Sequence, residues 1–297
     1  MDAGARLIRS PDGTAIADFE SGGGPGNSLA GAGSGARSAA GASHPPVVLV
    51  HGTSADHTAW RTLAPLLGTD RRLHAIDRRG RGASGDGPST AGDQAGYAIE
   101  REYEDVAAVA SAVAAEHGGP VDVLGHSYGG RVALGAALLT PDIRRVVCYE
   151  GAPRHVRRGR LDGRLAARLA PLADVGRDEE LLDAFLAAVA EMGPADLAAY
   201  HANPVWPSRV EAARRTLLRE LRAEPTEAAG LTRLGRVRQP VLLILGSRTP
   251  AFFREGVERL VPRLAHPTVA VVDGARHAAH HTHAPAFAAV VRSFLDA

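Results

Sequence analysis

Short apolar runs recur along the chain, separated by stretches with the period of an amphipathic helix. Residues 47–50 (Val-Val-Leu-Val), 73–77, 121–124, 146–149, 241–245 and 268–272 are apolar, partly β-branched and too short for buried helices, so each predicts a strand. Between them, residues 99–117 place Ile99, Tyr103, Val106, Ala110 and Val113 on one helical face. A helix is predicted over 131–139, and a closing one over 285–295 turns Phe287, Val290, Val291 and Phe294 inward. Strands alternating with helices build a mostly parallel, doubly wound sheet covered on both faces, so the fold class is α/β. Near the start, extended segments at 6–10 and 14–20 flank Pro11-Asp12-Gly13, a hairpin signal.

The rhythm breaks twice. Residues 21–43 are almost wholly Gly, Ala, Ser, Pro and Asn, too poor in apolar surface to offset the entropy of ordering, which predicts a mobile loop. From 153 to 239 helical patterns run without strands. Leu181, Phe185, Val189 and Met192 share a stripe over 180–192, and Ser208 with Glu211 has the spacing of a capping box ahead of Val210, Leu217, Leu218 and Leu221. An all-helical insert between two sheet strands predicts a cap over the C-terminal sheet edge, where doubly wound sheets keep their sites. The expected division is a core of 1–153 and 240–297 with a helical cap at 154–239.

Composition narrows the chemistry. At 45% hydrophobic over 297 residues the chain can bury a sizeable core, and with 4% aromatic that core is mainly Ala, Val and Leu. Thirty-four basic against 33 acidic residues leave +1, no global field for nucleic acid or an anionic membrane. Every basic residue is Arg; the absence of Lys excludes Schiff-base chemistry, lysine bases and a Walker-type phosphate lysine. The one cysteine, Cys148, cannot form an internal disulfide, suits a reducing compartment and sits in an apolar run as a buried, inert thiol. No run approaches the roughly 18 apolar residues of a membrane span, and the N-terminus lacks an apolar signal block; the expected location is cytoplasmic.

One motif carries chemistry. Gly125-His126-Ser127-Tyr128-Gly129 is a G-x-S-x-G between a predicted strand and a predicted helix. So tight a turn forces a strained serine backbone and lifts the hydroxyl clear of the sheet edge, with flanking glycines removing side chains that would clash. A serine needs a base, and His277, after the last strand, returns to that same edge. His280, His281 and His283 follow; with no cysteine or carboxylate among them they read as surface or pocket residues rather than metal ligands.

Over residues 47–151 and 241–297 the sequence resembles the α/β-hydrolase family of serine hydrolases, whose order is nucleophile, acid, base. The resemblance implies that Thr53, in His51-Gly52-Thr53, and Tyr128 supply backbone N–H groups to an oxyanion hole. It also implies that Asp77-Arg78-Arg79-Gly80-Arg81-Gly82-Ala83-Ser84 is a structural turn. The chain departs from the family at the acid: Gly246-Ser247-Arg248-Thr249 puts Thr249 where an Asp is usual. Some branches, haloalkane dehalogenases among them, place the acid after strand six, which points to Glu150; Asp273 is the weaker alternative. A serine nucleophile argues against dehalogenase and epoxide-hydrolase chemistry, leaving cofactor-free and metal-free cleavage of a small-molecule ester, lactone or thioester. The other reading is non-hydrolytic work on the same fold: cyclisation, lyase chemistry or ligand binding. His126, His57 and Trp60 are expected pocket residues, although packing competes for His57 and Trp60. Arg154, Arg157, Arg158, Arg160, Arg164 and Arg168, with only Asp162 among them, form either a solvated face or a dock for an acidic carrier protein or carboxylated substrate.

Overall fold

The computed structural model describes residues 4–23, 44–87, 97–153, 164–223 and 227–297. Eight strands form one sheet: β1 (Arg6–Arg9), β2 (Ala15–Gly22), β3 (Val47–Val50), β4 (Arg72–Ile76), β5 (Val121–His126), β6 (Ile143–Tyr149), β7 (Pro240–Gly246) and β8 (His266–Val272). Their order is β1-β2-β4-β3-β5-β6-β7-β8; β1 and β2 pair antiparallel, and from β4 to β8 every pairing is parallel. Residues 24–43, most of the predicted loop, lie outside the described residues. Ser21 and Gly22, placed in that loop by composition, instead pair with Leu73 and Arg72 at the end of β2.

The helices are α1 (Ala64–Leu67), α2 (Ile99–His117), α3 (Tyr128–Ala136), α4 (Arg164–Asp174), α5 (Asp178–Val189), α6 (Pro194–His201), α7 (Trp206–Arg222), α8 (Glu227–Leu234), α9 (Ala251–Leu260), α10 (Ala279–Thr282) and α11 (Ala284–Leu295). Period-two alternation divides the sheet's side chains between two cores. Val48, Val50, Val123, Val146, Cys148, Leu243 and Leu245 pack toward α2 and α3, while Val47, Leu49, Leu124, Val147, Tyr149, Leu242 and Ile244 pack toward α1 and α11. Burial pushes the Cys148 thiol up to about 12, in keeping with an inert core residue.

Two local expectations are corrected. α3 starts at Tyr128, directly after Ser127, not at residue 131. Ser208 caps nothing: α7 already starts at Trp206 with Pro207 in its first turn, and the Ser208 hydroxyl donates back to the Val205 carbonyl at 2.9 Å.

Helices α4–α8 all lie between β6 and β7. A buried set of four charges fastens one of them, α7, to the loop after β4 and to α2. Arg78 and Arg81 follow β4, Glu102 is on α2 and Glu220 on α7, and all four are about 1% exposed. Arg78 donates to Glu102 through Nε and to Glu220 through Nη2, both at 2.5 Å, and Arg81 also bonds Glu220. Burial alone would raise the Glu102 carboxyl, but Arg78 and Arg81 hold it down to about 2. Two cations and two anions cancel, which makes burial tolerable; removing one member strands the others. Glu220→Ala is therefore expected to cost about 3–5 kcal/mol. Glu211→Ala, which breaks an exposed pair with Arg214 on the same helix, should cost under about 1 kcal/mol. Urea unfolding of both variants checks this, and equal midpoints would refute it.

Candidate active site

In a parallel sheet all strands end at one edge, so the segments after β3, β5, β6 and β8 meet there. Ser127 takes φ 54° and ψ −122°, a conformation strained for a residue with a Cβ. Its neighbours explain why the turn is flanked by glycine. A Cβ on Gly125 would lie 2.2 Å from the Gly129 carbonyl oxygen, and one on Gly129 would lie 2.3 Å from the carbonyl oxygens of Val50 and His51. Ser127 N–H donates to the Tyr149 carbonyl, tying the turn to β6.

β6 ends at Tyr149, and Glu150 follows with φ 49°. This left-handed residue sends its carboxylate across the end of β7, where it is almost fully buried. Oε1 accepts from Gly246 N–H at 2.8 Å, and Oε2 stands 2.5 Å from His277 Nδ1. The carboxylate thus directs the Nδ1 proton inward and leaves Nε2 for other work. The imidazole plane is set by Phe253 of α9, stacked on it with centroids 4.3 Å apart. Tyr149 fixes the loop that carries His277: its hydroxyl donates to the Arg276 carbonyl at 2.5 Å and accepts from Ala279 N–H at 2.9 Å.

Thr249, at the family's usual acid position, is buried with its hydroxyl unpartnered among the described residues. Asp273 accepts from the Ser247 hydroxyl and belongs to a neighbouring loop contact.

Ser127 and His277 line one cavity of about 520 Å³, together with Gly52, Thr53, Ser54, His126, His280 and His281 from the sheet edge and Phe185, Val189, Tyr200 and Arg209 from the helices between β6 and β7. Among the described residues no hydrogen bond joins Ser127 to His277; such bonds often close only around substrate. Gly52 brings the segment after β3 against the serine, since a Cβ there would be 3.2 Å from Ser127 Cβ. Tyr128 is the first residue of α3, so its N–H precedes the helix's own hydrogen bonds.

His126 lines the cavity, and its Nε2 donates to the His277 carbonyl at 2.8 Å. His57 and Trp60 do not reach it. His57 stacks on Phe19 at 3.6 Å and bonds Asp77, while Trp60, 1% exposed, packs in the core below. The expectation that either lines the cavity is corrected: Thr58 and Ala59 of the short turn His57–Trp60 border it, while the His57 ring turns to Asp77 and Phe19 and Trp60 turns into the core. The turn at 77–84 is structural in kind, Asp77 also accepting from Ala83 N–H at 2.8 Å. Among the described residues no group of His, Cys, Asp and Glu is placed to hold a metal ion, and no helix is long and apolar enough to cross a membrane. Arg154, Arg157, Arg158 and Arg160 lie outside the described residues; Arg164 and Arg168 sit on α4.

Sequence reasoning passed over Tyr149, Phe253 and Arg209. For Arg209 a signal existed: it shares a helical face with Trp206, Ala213 and Leu217, all buried.

The sequence matches the alpha/beta hydrolase family over residues 47–290, and the chain belongs to that family. It is 28% identical over 268 residues to a pimeloyl-[acyl-carrier protein] methyl ester esterase of Neisseria meningitidis serogroup B, an alignment covering 84% of this chain and 92% of that one. The enzyme of the same name from Xanthomonas campestris is 29% identical over 271 residues, covering 85% and 96%. An alpha/beta hydrolase from Sphaerobacter thermophilus superposes with a TM-score of 0.74 at 28% identity, covering 97% of this chain and 99% of that one.

The imidazoles make a prediction. His51, His126 and His280 are held well below 6.5, burial being the largest cause in each, and His281 is lowered to about 4, chiefly by burial. The unfolded chain takes up these protons below about 6.5 while the folded one does not, so stability is full above that pH and falls as pH drops. Each such histidine contributes a slope of about 1.4 kcal/mol per pH unit. Urea midpoints should fall between pH 7.5 and 5.5, and less so in His280→Gln; a flat profile would contradict the buried neutral state.

Proposed function

We propose that the protein is a cofactor-independent serine esterase whose catalytic residues are Ser127, His277 and Glu150. The observation that carries this reading is the 2.5 Å contact between Glu150 and His277 Nδ1 at the cavity that Ser127 enters on a strained turn. Ser127 Oγ attacks the ester carbonyl while His277 Nε2 takes its proton, and Glu150 steadies the imidazolium. The oxyanion is held by the N–H groups of Thr53 and Tyr128, helped by the N-terminal end of α3, at roughly 3 kcal/mol per donor. The alcohol leaves with the proton from His277. Water, deprotonated by the same nitrogen, then releases the acyl group as a carboxylic acid and restores the serine.

Ester cleavage, rather than another acyl transfer, is supported by the relatives named as methyl ester esterases. Helices α4–α8 act as the cap, supplying Phe185, Val189 and Tyr200 to the cavity wall. The non-hydrolytic alternative drew its force from the missing acid after β7. A carboxylate reaching the imidazole from β6 supports hydrolysis instead. A carrier-borne substrate, of the kind in those relatives' names, would meet the arginines of 154–168.

Ser127→Ala should abolish turnover of 4-nitrophenyl esters without lowering the melting temperature. Glu150→Gln keeps the size but loses the charge, and kcat should fall at least about a hundredfold, short of the roughly 10⁴ typical of a fully optimised triad. Thr249→Ala should change it little. Near-full activity in Glu150→Gln would remove Glu150 from the mechanism.

A further inference from the structure

Arg209 projects from α7 into the wall of the same cavity and is 7% exposed. Its hydrogen bonding is meagre for so buried a cation: Nη1 donates to the Ser54 carbonyl at 3.2 Å, and Nε is sealed without a partner. Among the described residues it forms no ion pair. This contrasts with Arg78, Arg79 and Arg81, also buried, each of which meets carboxylates. Asp56, whose carboxyl Arg209 helps to hold down, accepts hydrogen bonds from the N–H and hydroxyl of Thr58 rather than from Arg209, and Ser54 offers only a neutral carbonyl. A guanidinium keeps its charge when buried and needs an anion, a requirement nothing described around it meets.

The remaining lining agrees. Arg61 and Arg276 also border the cavity, against one carboxylate among the described lining residues, that of Asp196, which pairs with Arg276 at the rim at 3.6 Å. Among the described residues no carboxylate pairs or hydrogen-bonds with Arg209, and Asp56 acts on it only through space.

We infer that Arg209 is a specificity-determining residue that receives a carboxylate of the substrate, making the preferred ester one that carries a second, anionic group. This rests on the esterase reading for what happens to that substrate, but not for its binding. The planar fork of arginine suits a carboxylate through two parallel N–H bonds, and charge-assisted bonds in a dry site discriminate strongly. The Ser54 bond keeps the guanidinium beside the segment that carries Thr53, so a bound carboxylate would also fix the ester's orientation.

The test compares wild type, Arg209→Met and Arg209→Lys. One arm places the carboxylate on the acyl side, using mono-4-nitrophenyl succinate, glutarate and adipate against neutral 4-nitrophenyl esters of equal chain length. The other places it on the alcohol side, using 4-acetoxybenzoate against its methyl ester scored at the acetyl group. In at least one arm wild type should favour the charged ester about ten- to a hundredfold in kcat/KM. Arg209→Met should bring that ratio to about one, and Arg209→Lys should keep part of it. Glutarate and adipate should also raise the melting temperature of wild type, and not of Arg209→Met. No preference in either arm overturns the inference. So does a ratio unchanged in Arg209→Met, which would leave Arg209 as a brace for the Ser54 turn. If no ester is turned over but the dicarboxylate shift is seen and lost in Arg209→Met, the anion subsite stands and the esterase reading falls.

Discussion

The separation of two chain segments sets the terms for this site. Glu150 and His277 are 127 residues apart, yet their side chains meet at 2.5 Å. That meeting depends on β6 and β7 being parallel neighbours and on Glu150 leaving β6 in a left-handed conformation. It depends equally on the loop after β8 folding back far enough to be held by Tyr149. Ser127 is bound into the same arrangement, because its N–H is anchored on the carbonyl of Tyr149. The end of β6 thus touches Ser127, carries Glu150 and holds the loop of His277.

A second constraint keeps the cavity's two walls in register. The sheet edge and α7 are joined by Arg78, Arg81, Glu102 and Glu220, and Arg78 N–H also donates to His51 Nε2 at 3.0 Å. That bond sets the His51 tautomer, so Nδ1 donates to the Gly52 carbonyl and the segment leading to Thr53 is fixed. The charges are expensive to bury singly and tolerable as a closed group, which gives α7 one seating on the core. α7 then carries Arg209 to its place.

Much of this was legible in the residues. Each predicted core strand appears within a few residues, because short apolar runs bounded by turns leave little else to form. Ser127 and Glu150 directly follow β5 and β6 and His277 lies five residues past β8, all at the edge where a parallel sheet delivers its loops. For Glu150 the resemblance to branches with the acid after strand six was also needed. What was hidden is pairwise and distant. Trp60 and His57 lie near His51 in sequence and flank residues that border the cavity, but their own side chains turn to the core and to Asp77. Nothing local says that Phe253 will stack on His277, or that Glu220 will meet Arg78 across 142 residues. Ser208 misled because Trp206 and Pro207 start the helix earlier. Arg209 and Glu220 do leave a trace, as charges in phase with an apolar stripe. That pattern marks a buried ion wanting a partner without saying which.

The reactivity of Ser127 is the claim on which the chemical reading stands. Incubating the folded protein with an alkyl fluorophosphonate, then measuring intact mass and mapping the labelled peptide, examines it without any assumption about substrate. An activated serine displaces fluoride and keeps the phosphonyl group, so a single adduct on Ser127 is predicted, formed more slowly in Glu150→Gln. A folded protein that remains unlabelled, or that is labelled at another residue, would contradict it.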